Sequence, residues 1–147
     1  MTQAMTQAMT QATADARAAN EQRIATSVLD VGSVALPVSD QDRAVRFYVE
    51  TLGFEVRLDA PTGNGGRWVQ VAAPGGAVAI SLVAAPDASA VGVDSGITLV
   101  TADAAADHAA LTVRGVDADE LLRWPGVPVM FAFRDRDGNQ LKMMEAS

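Results

Sequence analysis

The sequence contains one structural unit twice, and this repeat limits the possible folds more than any other feature. The first copy is SVALPVSDQDRAVRFYVETLGF, from Ser33 to Phe54, and a weaker copy, GITLVTADAAADHAALTVRGV, begins at Gly96. In each copy, alternating apolar residues predict a strand, and apolar residues at helical spacing then predict a helix. Asp40 and Asp103 hold equivalent N-cap positions, and a glycine ends each helix. The chain is therefore predicted to be built from two similar modules.

Each module continues into three further strands. The predicted strands span 28–38, 54–58, 67–72 and 77–83 in the first half, and 96–101, 116–122, 129–134 and 140–145 in the second. Turn sequences such as PTGNGG and DRDG separate them. One such half would leave a sheet face uncovered, so the two halves must pack on each other or on another chain.

Composition excludes several classes of partner and site. The formal net charge of −7 disfavours nucleic acid and anionic membranes, which both attract basic surfaces. No apolar run approaches the roughly 20 residues of a membrane span, and no signal-peptide pattern is seen, so a cytoplasmic location is predicted. The absence of cysteine excludes disulfides, thiolate catalysis and cysteine-bound zinc.

The first 26 residues differ from the rest in composition. They contain the repeat MTQAMTQAMTQA followed by an alanine-rich stretch, which favours a helix with little apolar surface to bury. Two interpretations stay open, a frayed or tag-like extension and a helical arm that docks on a partner subunit. We predict a low-complexity extension over 1–26 and a single domain over 27–147, with modules at about 28–84 and about 95–146.

Two motifs carry a resemblance to a known family. VALPVSDQDRAVRFYVETLGF and the closing FRDRDGNQLKMME resemble the glyoxalase/bleomycin-resistance/dioxygenase proteins, the vicinal oxygen chelate superfamily. The resemblance covers about residues 28–145. It implies an α+β fold in which two βαβββ modules form a curled mixed sheet around a cavity, usually in a homodimer. It also implies that active members hold one divalent metal ion in that cavity.

The four positions that the resemblance assigns to metal ligands do not hold ligands in this sequence. They are occupied by Ser33, Ser81, Gly96 and Lys142. Neutral hydroxyls bind divalent cations weakly, glycine has no side chain, and lysine would place a positive charge beside the cation. The resemblance therefore predicts a protein without a metal and without another cofactor.

Strand alternation predicts which residues face the cavity. The predicted set is small or weakly polar and comprises Ser33, Ala35, Ala79, Ser81, Gly96, Thr98, Gln140 and Lys142. Such a roomy pocket with few polar anchors suits a small organic ligand. Lys142 either anchors a ligand carboxylate, phosphate or phenolate, or forms a structural ion pair or a solvated strand residue.

Aromatic residues are candidate walls of this cavity. We predict ligand contacts for Trp68, Trp124 and Phe131, with Phe133 as a further candidate, because aromatic rings stack on planar ligands. Ordinary core or dimer packing is the alternative for each. His108, the single histidine, is predicted to be a half-exposed helix residue. The run from Arg134 to Asp137 is predicted to be a solvated turn.

Two functional hypotheses follow. The first is a metal-free protein that binds or sequesters a small organic molecule, like the antibiotic-binding members of the superfamily. The second is an enzyme of the lyase, isomerase or dioxygenase type that is metal-independent, with Lys142 as an electrostatic catalyst, or that uses a relocated metal site. The sequence offers no nucleophile with a paired base, which favours the first. A role in protein–protein contact alone is a third possibility.

Overall fold

The computed structural model describes residues 2–21 and 25–147, and the chain divides into two compact units, 1–30 and 31–147. The first unit contains helix α1 (Thr2–Glu21). Residues 1 and 22–24 of the predicted extension lie outside the described residues. Among the described residues, no helix has the length and apolar character needed to cross a bilayer.

Between residues 31 and 147, the chain forms two mixed sheets. Sheet A has the strand order β1–β4–β3–β2, and sheet B has the order β5–β7–β6. The strands of sheet A are β1 (Ser33–Val38), β2 (Glu55–Pro61), β3 (Arg67–Ala72) and β4 (Ala79–Ala84). Those of sheet B are β5 (Asp94–Thr101), β6 (Met130–Arg134) and β7 (Gln140–Glu145). The pairs β1–β4 and β5–β7 are parallel and the other pairs antiparallel, which confirms the α+β class and the modular architecture.

The helices follow the first strand of each module. They are α2 (Gln41–Arg46), which continues into a π-helical turn (Phe47–Thr51), and α3 (Ala104–Val113), and a short 3₁₀ turn covers Ala88–Ala90. The predicted N-caps are confirmed, because the Asp40 carboxylate accepts the Arg43 N–H and the Asp103 carboxylate accepts the Ala106 N–H, each at 3.0 Å. This bond satisfies one of the free N–H groups at a helix start.

Glycines end both helical segments as predicted. Gly53 has φ 76° and Gly115 has φ 79°, in the left-handed region that glycine enters without steric cost. Ser39 and Asp42 have the spacing of a variant capping box, but the box is not formed. The Ser39 hydroxyl instead donates to Asp137, and Asp42 pairs with Arg67. Long-range partners were available to both side chains, and sequence spacing does not reveal them.

One hydrophobic core lies against both sheets. Each sheet turns one face toward it, and α2, the π-helical turn and α3 contribute the remaining side chains. Its largest fully buried members are Leu36, Val38, Tyr48, Val69, Val71, Leu82, Phe131, Phe133 and Leu141. These residues alternate along their strands, so the opposite face of each sheet carries a separate set of side chains.

The predicted strand over 116–122 is wrong. This segment makes only isolated bridges, from Ala118 to Phe133 and from Leu122 to Met130. The guanidinium of Arg134 lies 2.7 Å from the Asp119 carboxylate and 3.6 Å from that of Asp117. The Asp119 backbone carbonyl lies 2.9 Å from the His108 ring nitrogen. These side-chain contacts hold the segment beside β6 in place of a continuous ladder.

The closing turn, from Asp135 to Asn139, is a structural junction rather than the predicted solvated turn. Asn139 is fully buried. Its amide oxygen accepts the N–H groups of Gly92 and Val93, at 2.9 and 3.1 Å. Its amide nitrogen donates to the Pro37 carbonyl at 2.7 Å. One side chain therefore joins the end of β1, the approach to β5 and the start of β7, which fixes the two modules to each other.

The two aspartates of this turn extend the junction to α2. The Asp135 carboxylate accepts the Tyr48 hydroxyl at 2.9 Å, and burial together with this carboxylate raises the pKa of Tyr48. The Asp137 carboxylate accepts the Ser39 N–H at 3.1 Å and pairs with Arg43 at 3.1 Å. The D-x-DGN sequence thus has a structural explanation that requires no ligand.

Candidate ligand-binding site

The predicted site residues lie mainly on the faces of the sheets that point away from the core. We call these surfaces the far face of sheet A and the far face of sheet B. On sheet A the far face comprises Ser33, Ala35, Pro37, Trp68, Gln70, Ala72, Ala79, Ser81 and Val83, with Glu55, Leu58 and Ala60 on β2. On sheet B it comprises Gly96, Thr98, Val100, Met130, Ala132, Arg134, Gln140, Lys142 and Met144. Strand register supports both groupings.

Along β1, β3 and β4, the far face of sheet A is neutral and built mainly of small side chains. Ser33 and Ala35 are exposed on β1, and Ala35 pairs in register with Ser81 on β4. The Gln70 amide donates to the Ser81 hydroxyl at 3.0 Å. Trp68 stands at the start of β3 with 54% of its surface exposed. The face therefore offers an exposed indole beside a polar pair. Gln70 was not among the predicted site residues.

The far face of sheet B carries the cationic residues. Lys142 is exposed on β7, where its register partners are Thr98 on β5 and Ala132 on β6. Gln140 lies two residues before Lys142 on the same strand, so both side chains point to the same side. The structure thus brings together the three polar residues that the sequence predicted for this module.

Arg134 supports this group from the neighbouring strand. Its guanidinium donates to the Asp119 carboxylate at 2.7 Å and to the Gln140 side-chain oxygen at 2.9 Å. The hydrogen bond from Arg134 lowers the pKa of Asp119. The sequence pattern predicted a solvated turn at Arg134, although its position in β6, two residues from Ala132, is the signal that places it on the far face.

The aromatic predictions have different outcomes. Phe131 and Phe133 lie on the opposite face of β6, in the core, with 1% and 0% exposure, so the predicted cavity-wall position of Phe131 is wrong. The ring of Phe131 contacts His108 edge-on, with centroids 5.0 Å apart, and His108 is half-buried on α3 as predicted. Trp124 is 62% exposed in the loop that follows Leu122, and among the described residues it makes no ring contact or hydrogen bond with the far face.

The four ligand positions implied by the resemblance do not fit a divalent metal ion. Ser81 is engaged by Gln70, and Lys142 presents an ammonium group. Gly96 has φ 70°, a backbone conformation that residues with side chains rarely adopt, so a ligating side chain there would be strained. Within the described residues, no group of three or more histidine, aspartate or glutamate side chains could hold a metal ion.

A family model decides the identity of the fold. The model for the glyoxalase/bleomycin resistance protein/dioxygenase superfamily matches residues 30–143. The chain belongs to this superfamily. Residues 31–143 of the unit that contains the two far faces, with the closing turn, fall inside the match.

Solved structures of other superfamily members resemble this one over most of the chain. TnmS3, an antibiotic binding protein from Streptomyces sp. CB03234, is 36% identical, with 84% of this chain and 100% of TnmS3 covered and a TM-score of 0.74. A superfamily member from Sphaerobacter thermophilus DSM 20745 is 34% identical, with 82% and 100% covered and a TM-score of 0.77. A glyoxalase/bleomycin resistance protein from Streptomyces sp. CB03234 is 37% identical, with 78% and 99% covered and a TM-score of 0.68.

A curated relative matches a shorter segment. YetH of Bacillus subtilis (strain 168) is 38% identical over 48 residues, which is 33% of this chain and 40% of YetH. The chain therefore matches less than half the length of that relative, and the match adds no information about the site.

The far faces are open in the single chain. Exposed apolar side chains on or beside them include Trp68 at 54%, Val83 at 48%, Val100 at 66% and Leu122 at 38%. One cleft of about 310 Å³ shares only Val100 with the far faces. It lies between Leu52, Phe54 and Pro74 on one side and Leu99 and Met143 on the other. A ligand on the far faces would need a further cover to be enclosed.

Proposed function

We propose that this superfamily member binds and sequesters a small organic molecule on the far faces of its sheets, without a metal ion and without chemical turnover. The observation that supports this most directly is the far face itself. It combines small side chains, an exposed indole and a few polar groups, which is the composition expected of a small-molecule site.

The relatives favour binding over catalysis. TnmS3 is an antibiotic binding protein. It is 36% identical to this chain, and the match covers 100% of TnmS3. The four positions that hold a metal ion in active members are occupied here by residues that fit none. The far-face hydroxyls of Ser81 and Thr98 also make no hydrogen bond to a general base within the described part of the chain. No observation favours the enzymatic alternative.

We further propose that a second copy of the chain covers the far faces. Large apolar side chains left exposed on a sheet face favour an interaction surface. Trp68 and Val100 are more than half exposed, and β1 and β5 each lie at an edge of their sheet. Burial of these side chains in a homodimer would also enclose the ligand. A cytoplasmic location and the absence of a cofactor stay predictions.

Native mass spectrometry of the full chain tests the binding function. We expect a mass of twice the 15.3 kDa chain. We expect no stoichiometric uptake of Ni²⁺, Mn²⁺ or Fe²⁺, because the implied ligand positions cannot hold them. Incubation with a library of small aromatic natural products is expected to give saturable adducts, and each bound compound should be released with its mass unchanged.

Two outcomes would contradict the proposal. One tightly bound metal ion per subunit would show that a metal site exists in spite of the misfit. A bound compound released with a changed mass would show turnover.

The variant Trp68→Ala tests whether the ligand binds on the far face. Removal of the exposed indole should weaken adduct formation severalfold. The control Val113→Ala, at an exposed position on α3, should not weaken it.

A further inference from the structure

We propose that the ligand of this protein is an aromatic organic acid, whose anionic group is bound by Lys142 with Gln140 and Thr98. This inference rests on the proposed binding function and names the chemical class that the site selects. The predicted alternatives for Lys142 were a structural ion pair and a solvated residue, and the surroundings of its ammonium group distinguish between them.

Lys142 is the single lysine of the chain, and its ammonium group has no partner within residues 31–147. The sequence contains 18 acidic side chains against 11 lysines and arginines. Even so, no carboxylate among the described residues forms an ion pair or hydrogen bond with Lys142. Asp94 lies at the start of β5, where it pairs in register with Gln140 and its carboxylate accepts the Gly96 N–H. The structural ion pair is thus not formed.

Enclosure makes an anion necessary. An exposed ammonium group is stabilised by water, but it would lose that water when a ligand and a second copy cover the far face. Burial of an unpaired charge is strongly unfavourable. On the far face of sheet A, the strands β1, β3 and β4 supply no charged residue, and Glu55 on β2 is paired with Arg57. A negatively charged group of the ligand would supply the compensating charge.

The neighbours of Lys142 are hydrogen-bond donors. The Gln140 side-chain oxygen accepts from Arg134 at 2.9 Å, which fixes the amide orientation and leaves its NH₂ group available. Thr98, the register partner of Lys142, has a hydroxyl that makes no hydrogen bond to another described residue. An ammonium, an amide NH₂ and a hydroxyl on one patch match the oxygens of a carboxylate, sulfonate or phenolate.

The neutral face supplies the aromatic part of the assignment. Trp68 is half-exposed on sheet A, where its register partner is the small residue Ala60 on β2. A flat ring can stack on the exposed indole. In the proposed homodimer, a ligand that contacts both far faces would place its ring on Trp68 and its anionic group at Lys142, which a planar acid can do.

A pair of isosteric probes separates charge from shape. We expect the full-length protein to bind 2-naphthoate about tenfold more tightly than 2-naphthamide, as titrated by ligand-observed NMR at neutral pH. In Lys142→Met this ratio should fall to about one, with the affinity for 2-naphthamide unchanged, whereas Lys142→Arg should retain the preference. Arg46→Met removes the same charge from the exposed side of α2, and it should leave the ratio as in the original protein.

The outcomes distinguish failure of this inference from failure of the proposed function. Equal affinity for both probes in the original protein would overturn the acid assignment and leave small-molecule binding standing. A preference for 2-naphthoate that persists in Lys142→Met would overturn the role of Lys142. Binding of neither probe would count against the far-face site itself. Circular dichroism of each variant confirms that the fold is kept.

Discussion

Asn139→Ala is expected to lower the free energy of unfolding by about 3–5 kcal/mol. The substitution removes the side chain that pairs the N–H groups of Gly92 and Val93 and the carbonyl of Pro37. Each of these hydrogen bonds contributes about 1 kcal/mol, and the cavity left by the fully buried side chain adds to the loss. Urea denaturation followed by circular dichroism measures the change.

The matched control is Asn64→Ala, in the hairpin turn between β2 and β3. Asn64 is exposed and its side chain serves only the local turn, where it accepts the Gly66 N–H at 3.2 Å. A loss below about 1 kcal/mol is expected there. A loss at Asn139 as small as that at Asn64 would show that the closing turn does not hold the two modules together.

Tyr48→Phe is expected to reduce stability by about 2 kcal/mol at pH 7, because a buried hydroxyl bonded to a carboxylate is removed. The larger effect lies in the pH dependence. Burial of Tyr48, followed by the charge of Asp135, raises the pKa of the phenol above its usual value. The unfolded chain then releases the phenolic proton near pH 10 while the folded chain retains it.

The stability supplied by Tyr48 is therefore fully present below pH 10 and is lost progressively above it. The free energy of unfolding should fall by about 1.4 kcal/mol per pH unit more steeply in the original protein than in Tyr48→Phe. The two proteins should become equally stable near pH 11.5. Tyr48 is the single tyrosine, so no other phenol contributes. Parallel curves from pH 9 to pH 12 would contradict a buried neutral Tyr48.

The candidate site shows where sequence patterns are sufficient and where they fail. Alternation along β1, β4 and β7 correctly placed Ser33, Ser81 and Lys142 away from the core. The prediction for Phe131 rested on its aromatic character and is wrong, because an aromatic residue in an alternating strand fits either face and only the neighbouring strand decides which one is buried. Arg134 was missed because its partners, Asp119 and Gln140, lie in separate segments.

Local sequence signals account for the modular fold. Cap residues, glycines and periodicity act over a few residues, so the N-caps at Asp40 and Asp103 and the helix ends at Gly53 and Gly115 were predictable. The same local signals made the superfamily recognisable. The residue types alone also showed that serine, glycine and lysine occupy the implied metal positions.

The side chains that join the modules, and those that stay free, depend on the tertiary arrangement. Asn139 contacts Gly92, which is 47 positions away in the sequence, and Pro37, which is 102 positions away. No local pattern distinguishes such an asparagine from one in a solvated turn. Lys142, in contrast to Asn139, gains no long-range partner in the fold. Its lack of a partner depends on where all the described carboxylates lie. Long-range hydrogen bonds and charge pairs form only in the folded chain, and their energies favour one partner among many that the sequence allows.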